Sequence, residues 1–386
     1  MKPIGHATGQ NPRSQTKITK RTQFGPVFST KPKNESQFPA DLLLVGNQGG
    51  TNVGWSLYQA CPNLGLAAHF ADALQAAAAP AWKRRISWRL LGHRPARLSN
   101  FSSQVLGLCQ NLRPATLLAT GLAPITRPTL QAIGNLGIAR LNYLTDDPWN
   151  PAFRARWFLE ALPMYDTVFS PRRANIPDLE NLGCRTVRYL PFGFDPNLCY
   201  PQPADPAESI RLSAEVLFVG GADRDRVPFI AALASAGFSI ALYGDNWDRY
   251  PETRPHYRGY ADPQTLRQAT AAAKIALCLV RRANRDGHVM RTFEIPAIGA
   301  CMLVEDTQEH RELFSTEGES VLYFRSIPEM IEKARRLLAS PVERQRLATA
   351  VHSHIMSGRH TYQDRLAAMW GRLEACGGLP ARQLAI

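Results

Sequence analysis

Ile275-Ala-Leu-Cys-Leu-Val-Arg-Arg-Ala-Asn-Arg-Asp-Gly-His-Val-Met-Arg-Thr-Phe-Glu-Ile-Pro-Ala-Ile-Gly299 reads as a strand, a loop and a helix in succession. The opening apolar run has the length of a buried strand, far short of the roughly 20 residues that a membrane span requires. The loop is dense in functional residue types. Backbone N–H groups around Gly287 and His288, with the start of the following helix, can hold a diphosphate, while Arg285 or Arg291 supplies positive charge. A histidine beside such a loop can also steady a leaving group as a cation, which makes His288 a candidate. Asp286 and Glu294 stand eight residues apart. A carboxylate accepts two hydrogen bonds from a vicinal diol, so Glu294 on the first helical turn suits a ribose and Asp286 suits the donor sugar. Thr292, between them, joins the donor-side set.

Outward from this unit the same alternation repeats. Toward the N-terminus, short apolar runs at 41–46, 65–70, 116–120, 139–144, 167–170 and 186–190 alternate with helix-like segments, the pattern of βαβ units in a parallel sheet. The run 191–206 carries several prolines and no helical period, so it reads as a linker. Strands at 215–220, 238–244, 275–280, 301–304 and 321–324 then build a second domain, followed by helices near 328–338, 341–355 and 362–375. The expected division is a basic tail at 1–39, an acceptor-side domain at 40–190, a linker at 191–210, a nucleotide-sugar domain at 211–360 and a final helix at 361–386 that packs back on the first domain. A chain of 386 residues exceeds what one core usually supports, in keeping with two domains. Two such sheets facing across a cleft put the carboxyl ends of their strands around one crevice.

Further motifs point into that crevice. Phe218-Val-Gly-Gly-Ala-Asp-Arg-Asp-Arg226 is a strand and turn whose Gly220 and Gly221 let the backbone approach a ligand closely. It is not a full G-x-G-x-x-G, which disfavours a nicotinamide cofactor. Tyr243-Gly-Asp-Asn-Trp247 ends another strand, placing Trp247 at the base or in surface packing. In the first domain Gly46-Asn-Gln-Gly-Gly-Thr-Asn-Val-Gly-Trp-Ser56 is a glycine-rich turn without the Lys-Ser/Thr of a P-loop, so nucleotide hydrolysis is not supported. Asn47, Gly49 and Ser56 are acceptor-side candidates. Asn142-Tyr-Leu-Thr-Asp-Asp-Pro-Trp149 presents Asp146 as a base or orienting group and Asp147 as an acceptor contact, with an N-cap or an acidic metal motif as the other readings.

The spacing Asp286-x7-Glu294 followed by Ile-Pro-Ala-Ile-Gly299 resembles the E-x7-E signature of retaining GT-B glycosyltransferases, with Asp for the first Glu. Arg291-Thr-Phe-Glu-Ile-Pro-Ala-Ile-Gly-Ala300, Tyr243-Gly-Asp-Asn-Trp247, Ala273-Lys-Ile-Ala276, Glu312-Leu-Phe314 and His360-Thr-Tyr-Gln-Asp-Arg365 together resemble the CgeB-like glycosyltransferases, a family named for a spore maturation protein. The likeness runs from about residue 40 and is strongest after 215. It implies a GT-B fold of two Rossmann-like doubly wound domains, Arg226 as the family's arginine at the donor, and sugar transfer with retention and without a metal. The departing phosphate would assist the incoming hydroxyl, so no protein nucleophile is named. His360 is expected to cap or anchor the final helix.

Composition sets the bounds. Hydrophobic residues are 45% and charged residues 20%, ordinary for a globular chain. The net charge is +13, of which residues 1–40 supply +6, seven basic residues against Glu35. That tail reads as a solvated, disordered extension or, alternatively, as a tether to an anionic membrane face. The remaining positive charge suits a protein that handles phosphates. Seven scattered cysteines without a C-x-x-C pair indicate reduced thiols, a cytoplasm-like setting and no zinc site.

The reading is therefore a sugar-nucleotide glycosyltransferase acting on a glycan, lipid-linked or protein acceptor, with the nucleotide sugar as substrate, no cofactor and no specific nucleic acid. The alternatives are a nonhydrolysing sugar-nucleotide epimerase or a phosphorylase on the same scaffold, or a non-catalytic coat or polysaccharide-assembly protein.

Overall fold

The computed structural model describes residues 40–375; the basic tail and Cys376 lie outside the described residues. Six strands form the first sheet: β1 (Leu42–Gly46), β2 (Ala68–Asp72), β3 (Thr116–Thr120), β4 (Ala139–Tyr143), β5 (Thr167–Ser170) and β6 (Val187–Tyr189). All are parallel, in the order β2-β1-β3-β4-β5-β6. Five more form the second: β7 (Ala214–Val219), β8 (Ile240–Tyr243), β9 (Ala273–Cys278), β10 (Met302–Glu305) and β11 (Leu322–Phe324). They too are parallel, in the order β11-β10-β9-β7-β8.

Their apolar runs are continuous because both faces of each sheet are covered. Leu43 and Val45 of β1 join one core with Leu117 and Ala119, while Leu42 and Leu44 face the other way. In β7, Val216 and Phe218 join the outer core of the second sheet, and Leu217 and Val219 join the same central cluster as Leu42 and Leu44. Helix starts are fixed locally: Asp262 accepts the Thr265 N–H at 2.7 Å and Thr307 that of His310 at 3.0 Å.

Two expectations change. The second strand begins at Ala68, not 65, because Gly65 (φ +67°) closes a short 3₁₀ turn over Pro62–Leu64. Residues 206–210 are helical, since Asp205 caps Pro206–Leu212 and proline suits the first helical position.

The chain crosses between the sheets twice, side by side. The Phe194 N–H donates to the His360 carbonyl at 3.0 Å and the Tyr362 N–H to the Phe194 carbonyl at 2.9 Å. The helix Tyr362–Ala375 then packs on the helix Val53–Ala60, with Leu366, Met369 and Trp370 in the central cluster. Its cap is Thr361, whose hydroxyl accepts the Asp364 N–H at 3.1 Å while Asp364 accepts the Thr361 N–H at 2.9 Å. His360 is therefore not the cap, but its Nδ1 accepts from Arg365 of that helix at 3.3 Å, the anchoring half of the expectation. Six cysteines are buried and unpaired among the described residues, and no helix there is long and apolar enough to cross a membrane.

Candidate functional site

In each sheet the strand order reverses at one point, between β1 and β3 and between β7 and β9, and a crevice opens at the carboxyl ends there. At the second sheet it is a cavity of about 200 Å³ lined by Gly220, Gly221, Leu279, Arg226, Arg281 and Arg291, with Arg172 and Asp286 at the other wall. At the first sheet it is a larger space of about 410 Å³ lined by Asn47, Asn52, Thr120 and Gly121. Thr145, Asp146 and Met290 line both, so the two spaces meet there. Asp146 is half-buried, and its carboxylate receives the Thr145 hydroxyl at 3.4 Å.

Charge in the smaller cavity is weighted to cations: Arg172, Arg226, Arg281 and Arg291 against Asp146 and Asp286. Arg226 is held by three carbonyls, donating to Val280 at 3.3 Å, Gly221 at 3.2 Å and Leu279 at 3.0 Å. Burial lowers its pKa and that of Arg291. Two of the five Arg226 N–H donors remain for a ligand. The helix Arg291–Ile298 begins at this wall, its first turn closed by Thr292 and Phe293 N–H bonds to the Val289 and Met290 carbonyls, both at 3.0 Å.

Both acids of the eight-residue spacing are ion-paired. Asp286 accepts from Arg172 Nε at 2.5 Å, both side chains almost fully buried. Burial pushes the Asp286 carboxyl up and the adjacent guanidinium draws it back. Glu294 pairs with Arg291, and of the two only Arg291 lines the cavity. Arg172 follows the strand β5 and was missed by motif reading. The signal was available: Arg172-Arg173 sits at the carboxyl end of a parallel strand, where ligands bind.

The loop between β9 and the helix does something other than cradle phosphate at its glycine. Gly287 and His288 are off the cavity wall. A Cβ on Gly287 would collide with the Glu309 side chain, so the glycine is required by packing. His288 Nε2 accepts the Phe192 N–H at 3.1 Å, leaving Nδ1 to donate to Glu309. Glu309 also accepts the Tyr189 hydroxyl at 3.1 Å. With Nε2 on Phe192 and Nδ1 on Glu309, which itself reaches Tyr189, His288 has both ring nitrogens engaged and is an interdomain tie, not a leaving-group contact. Thr292, fully buried, accepts the Val289 N–H at 3.1 Å and bonds His310 Nε2 at 3.0 Å; it braces the helix start from inside.

Four further expectations are corrected. Trp247 is 0% exposed, donates to the Gly220 carbonyl at 2.7 Å and meets Phe218 edge-on, so it supports the turn under the ligand and cannot touch a base. Asp147 accepts both Nε and Nη2 of Arg285, at 2.6 and 3.0 Å, while Arg285 Nη1 reaches Asp178 at 2.6 Å. That arginine is therefore engaged with the first domain and unavailable to a diphosphate, and Asp147 is buried beneath it. Ser56 is 3% exposed, on the inner side of its helix. Asn47 stays on the wall of the larger space; Gly49 is near it with φ +77°. The glycines that matter most in this turn are Gly46 and Gly54, where a Cβ on either would meet Thr120 Oγ1. A second unforeseen tie joins Asn150 Nδ2 to Asn284 Oδ1 at 2.6 Å. Among the described residues no three His, Cys, Asp or Glu side chains converge as a metal site.

The fold has known counterparts. Residues 224–371 match the family model described as Glycosyl transferase-like. The fold is GT-B. A trehalose-6-phosphate synthase superposes with a TM-score of 0.58 at 13% identity, over 87% of this chain and 99% of that one. The Anabaena protein HepE, solved in complex with UDP-glucose, gives 0.56 at 14%, over 86% and 99%. A putative UDP-N-acetylglucosamine 2-epimerase from Listeria monocytogenes gives 0.51 at 14%, over 86% and 96%. No curated protein matches the chain in sequence. The family match thus covers most of the second sheet and the helices after it, and the likeness to solved structures shows the fold over most of the chain.

Proposed function

We propose that this chain transfers a sugar, with retention and without a metal, from a nucleoside diphosphate donor in the arginine-lined cavity to an acceptor hydroxyl in the larger crevice. The observation that carries the reading is the meeting of the two spaces at Asp146. A donor phosphate placed among Arg172, Arg226, Arg281 and Arg291, at the positive end of the helix, would have its developing charge stabilised by the helix dipole and fixed cations. Asp146 stands where an acceptor hydroxyl would approach the transferred sugar, as an orienting group or proton acceptor. Glu294 acts on the donor through Arg291, which it holds at the cavity wall; Asp286 does the same through Arg172. Retention is supported by the family resemblance and by likeness to a trehalose-6-phosphate synthase whose transfer proceeds with retention. A uridine nucleotide is the first donor to test, since HepE binds UDP-glucose on this fold. The motifs along residues 215–365 favour the CgeB-like group.

The test is calorimetry with UDP, GDP and dTDP sugars on the wild type and on Glu294→Gln, with nucleotide release followed with and without acceptors. Glu294→Ala would strand a buried arginine, so the amide is the better probe. Donor binding weakened about tenfold or more in the variant, with circular dichroism unchanged, is expected. A wild type that binds no nucleotide species overturns the reading, and sugar isomerisation without any acceptor moves it to an epimerase.

A further inference from the structure

The helix Ala81–Leu90 and the turn after it carry a surface that sugar transfer does not use. Trp82, Ile86 and Leu90, four residues apart and so on one helical face, are 64%, 47% and 76% exposed. Scattered exposed apolar residues are ordinary, but a stripe of large ones on a short helix is not. Lys83 borders the stripe on one side, Arg85 and Arg89 on the other. Residues 81–97 hold six Lys or Arg and no acid. Only Ser87 of the helix is buried, so the stripe faces away from the protein.

We propose that this helix docks on an anionic lipid surface, its Trp82–Ile86–Leu90 stripe in the headgroup–acyl boundary and its basic flanks on lipid phosphates. The pattern of aliphatic and indole side chains between cations is that of an interfacial helix. Each cation near an anionic leaflet contributes on the order of 1 kcal/mol. Nucleic acid would match the charge and could stack on Trp82, but offers nothing for Ile86 and Leu90. The helix also adjoins the site. A second hollow lined by Arg84, Trp88 and Arg94 shares Ala77 and Pro95 with the larger crevice. Docking therefore brings the acceptor-side opening to the membrane, which, resting on the glycosyl-transfer reading, favours an acceptor carried on a lipid.

The experiment is co-sedimentation of the full chain with vesicles of phosphatidylcholine alone or mixed with phosphatidylglycerol. Wild type is compared with Trp82→Ser/Ile86→Ser/Leu90→Ser and with Lys83→Glu/Arg85→Glu/Arg89→Glu, both keeping the basic tail. All six positions are exposed, so melting temperatures should match. Partition of the wild type onto phosphatidylglycerol vesicles only, reduced at least about tenfold in each variant, supports the proposal. It is overturned if the wild type ignores phosphatidylglycerol, if the apolar variant binds like the wild type, or if the variants lose single-stranded RNA binding in place of vesicle binding. Donor calorimetry on the same variants should be unchanged, so failure of the donor reading would leave the sedimentation result standing.

Discussion

Arg172, at the end of a strand in the first sheet, donates to Asp286 of the second domain at 2.5 Å, with both side chains out of water. The pair closes one wall of the cavity and ties the halves together. Removing the arginine leaves a buried carboxylate without its counter-charge. Arg172→Met is expected to cost about 3–5 kcal/mol in urea unfolding if the cleft stays shut. Burial already holds the Asp286 pKa above its ordinary value, and losing the cation raises it further. A raised folded pKa gives stability that is full below the unfolded value and lost as pH rises through the folded one. The variant should therefore melt lower at neutral than at mildly acidic pH relative to wild type, and Arg172→Met/Asp286→Asn should remove that slope.

Arg285 is another cross-domain cation, bidentate to Asp147 and bonded to Asp178. Arg285→Ala should destabilise by about 3 kcal/mol or more because Asp147 is left buried and unpaired. Arg285→Lys should recover little, since an ammonium cannot make the fork. Thermal melts check both. Small-angle scattering should report a more open particle for the alanine variant.

His310 links the site to pH. Its Nδ1–H donates to the Glu305 carbonyl at 2.7 Å, so Nε2 accepts from Thr292, which in turn holds the Val289 N–H. Burial pulls its pKa down to about 4. A depressed histidine gives stability present above its unfolded value and lost as pH falls toward the folded one. The unfolding free energy should accordingly decline on acidification through that window. His310→Gln should flatten the decline, as urea unfolding at stepped pH would show.

Asp146 lines both spaces without a strong protein partner. Asp146→Asn should lower kcat by about 10²-fold or more while donor Kd and melting temperature stay near wild type. Equal loss of donor binding would place the carboxylate on the donor side instead.

Most of the sheet architecture was legible because parallel strands covered on both faces leave continuous apolar runs, as at Leu42–Gly46 and Ala273–Cys278. The neighbourhood of the site was legible too: Gly220, Gly221 and Arg291 all reach the cavity. Partners were not. That Asp286 finds Arg172, Asp147 finds Arg285 and His288 finds Glu309 depends on where distant elements come together, and no local spacing encodes it. Trp247 shows the same limit from the other side, since an aromatic at a strand end reads as a ligand contact until the turn that buries it is seen.

The antiphase of chain order and core order has a consequence for synthesis. Leu42 and Leu44, among the first residues described, share a cluster with Leu366, Met369 and Trp370, among the last. The leading half thus emerges from the ribosome with the outer side of its helix Val53–Ala60 bare and must wait for nearly the whole polypeptide before Tyr362–Ala375 packs on it. Nascent chains stalled before residue 362 should bind chaperones that seek exposed apolar surface, and chains released past residue 371 should let them go.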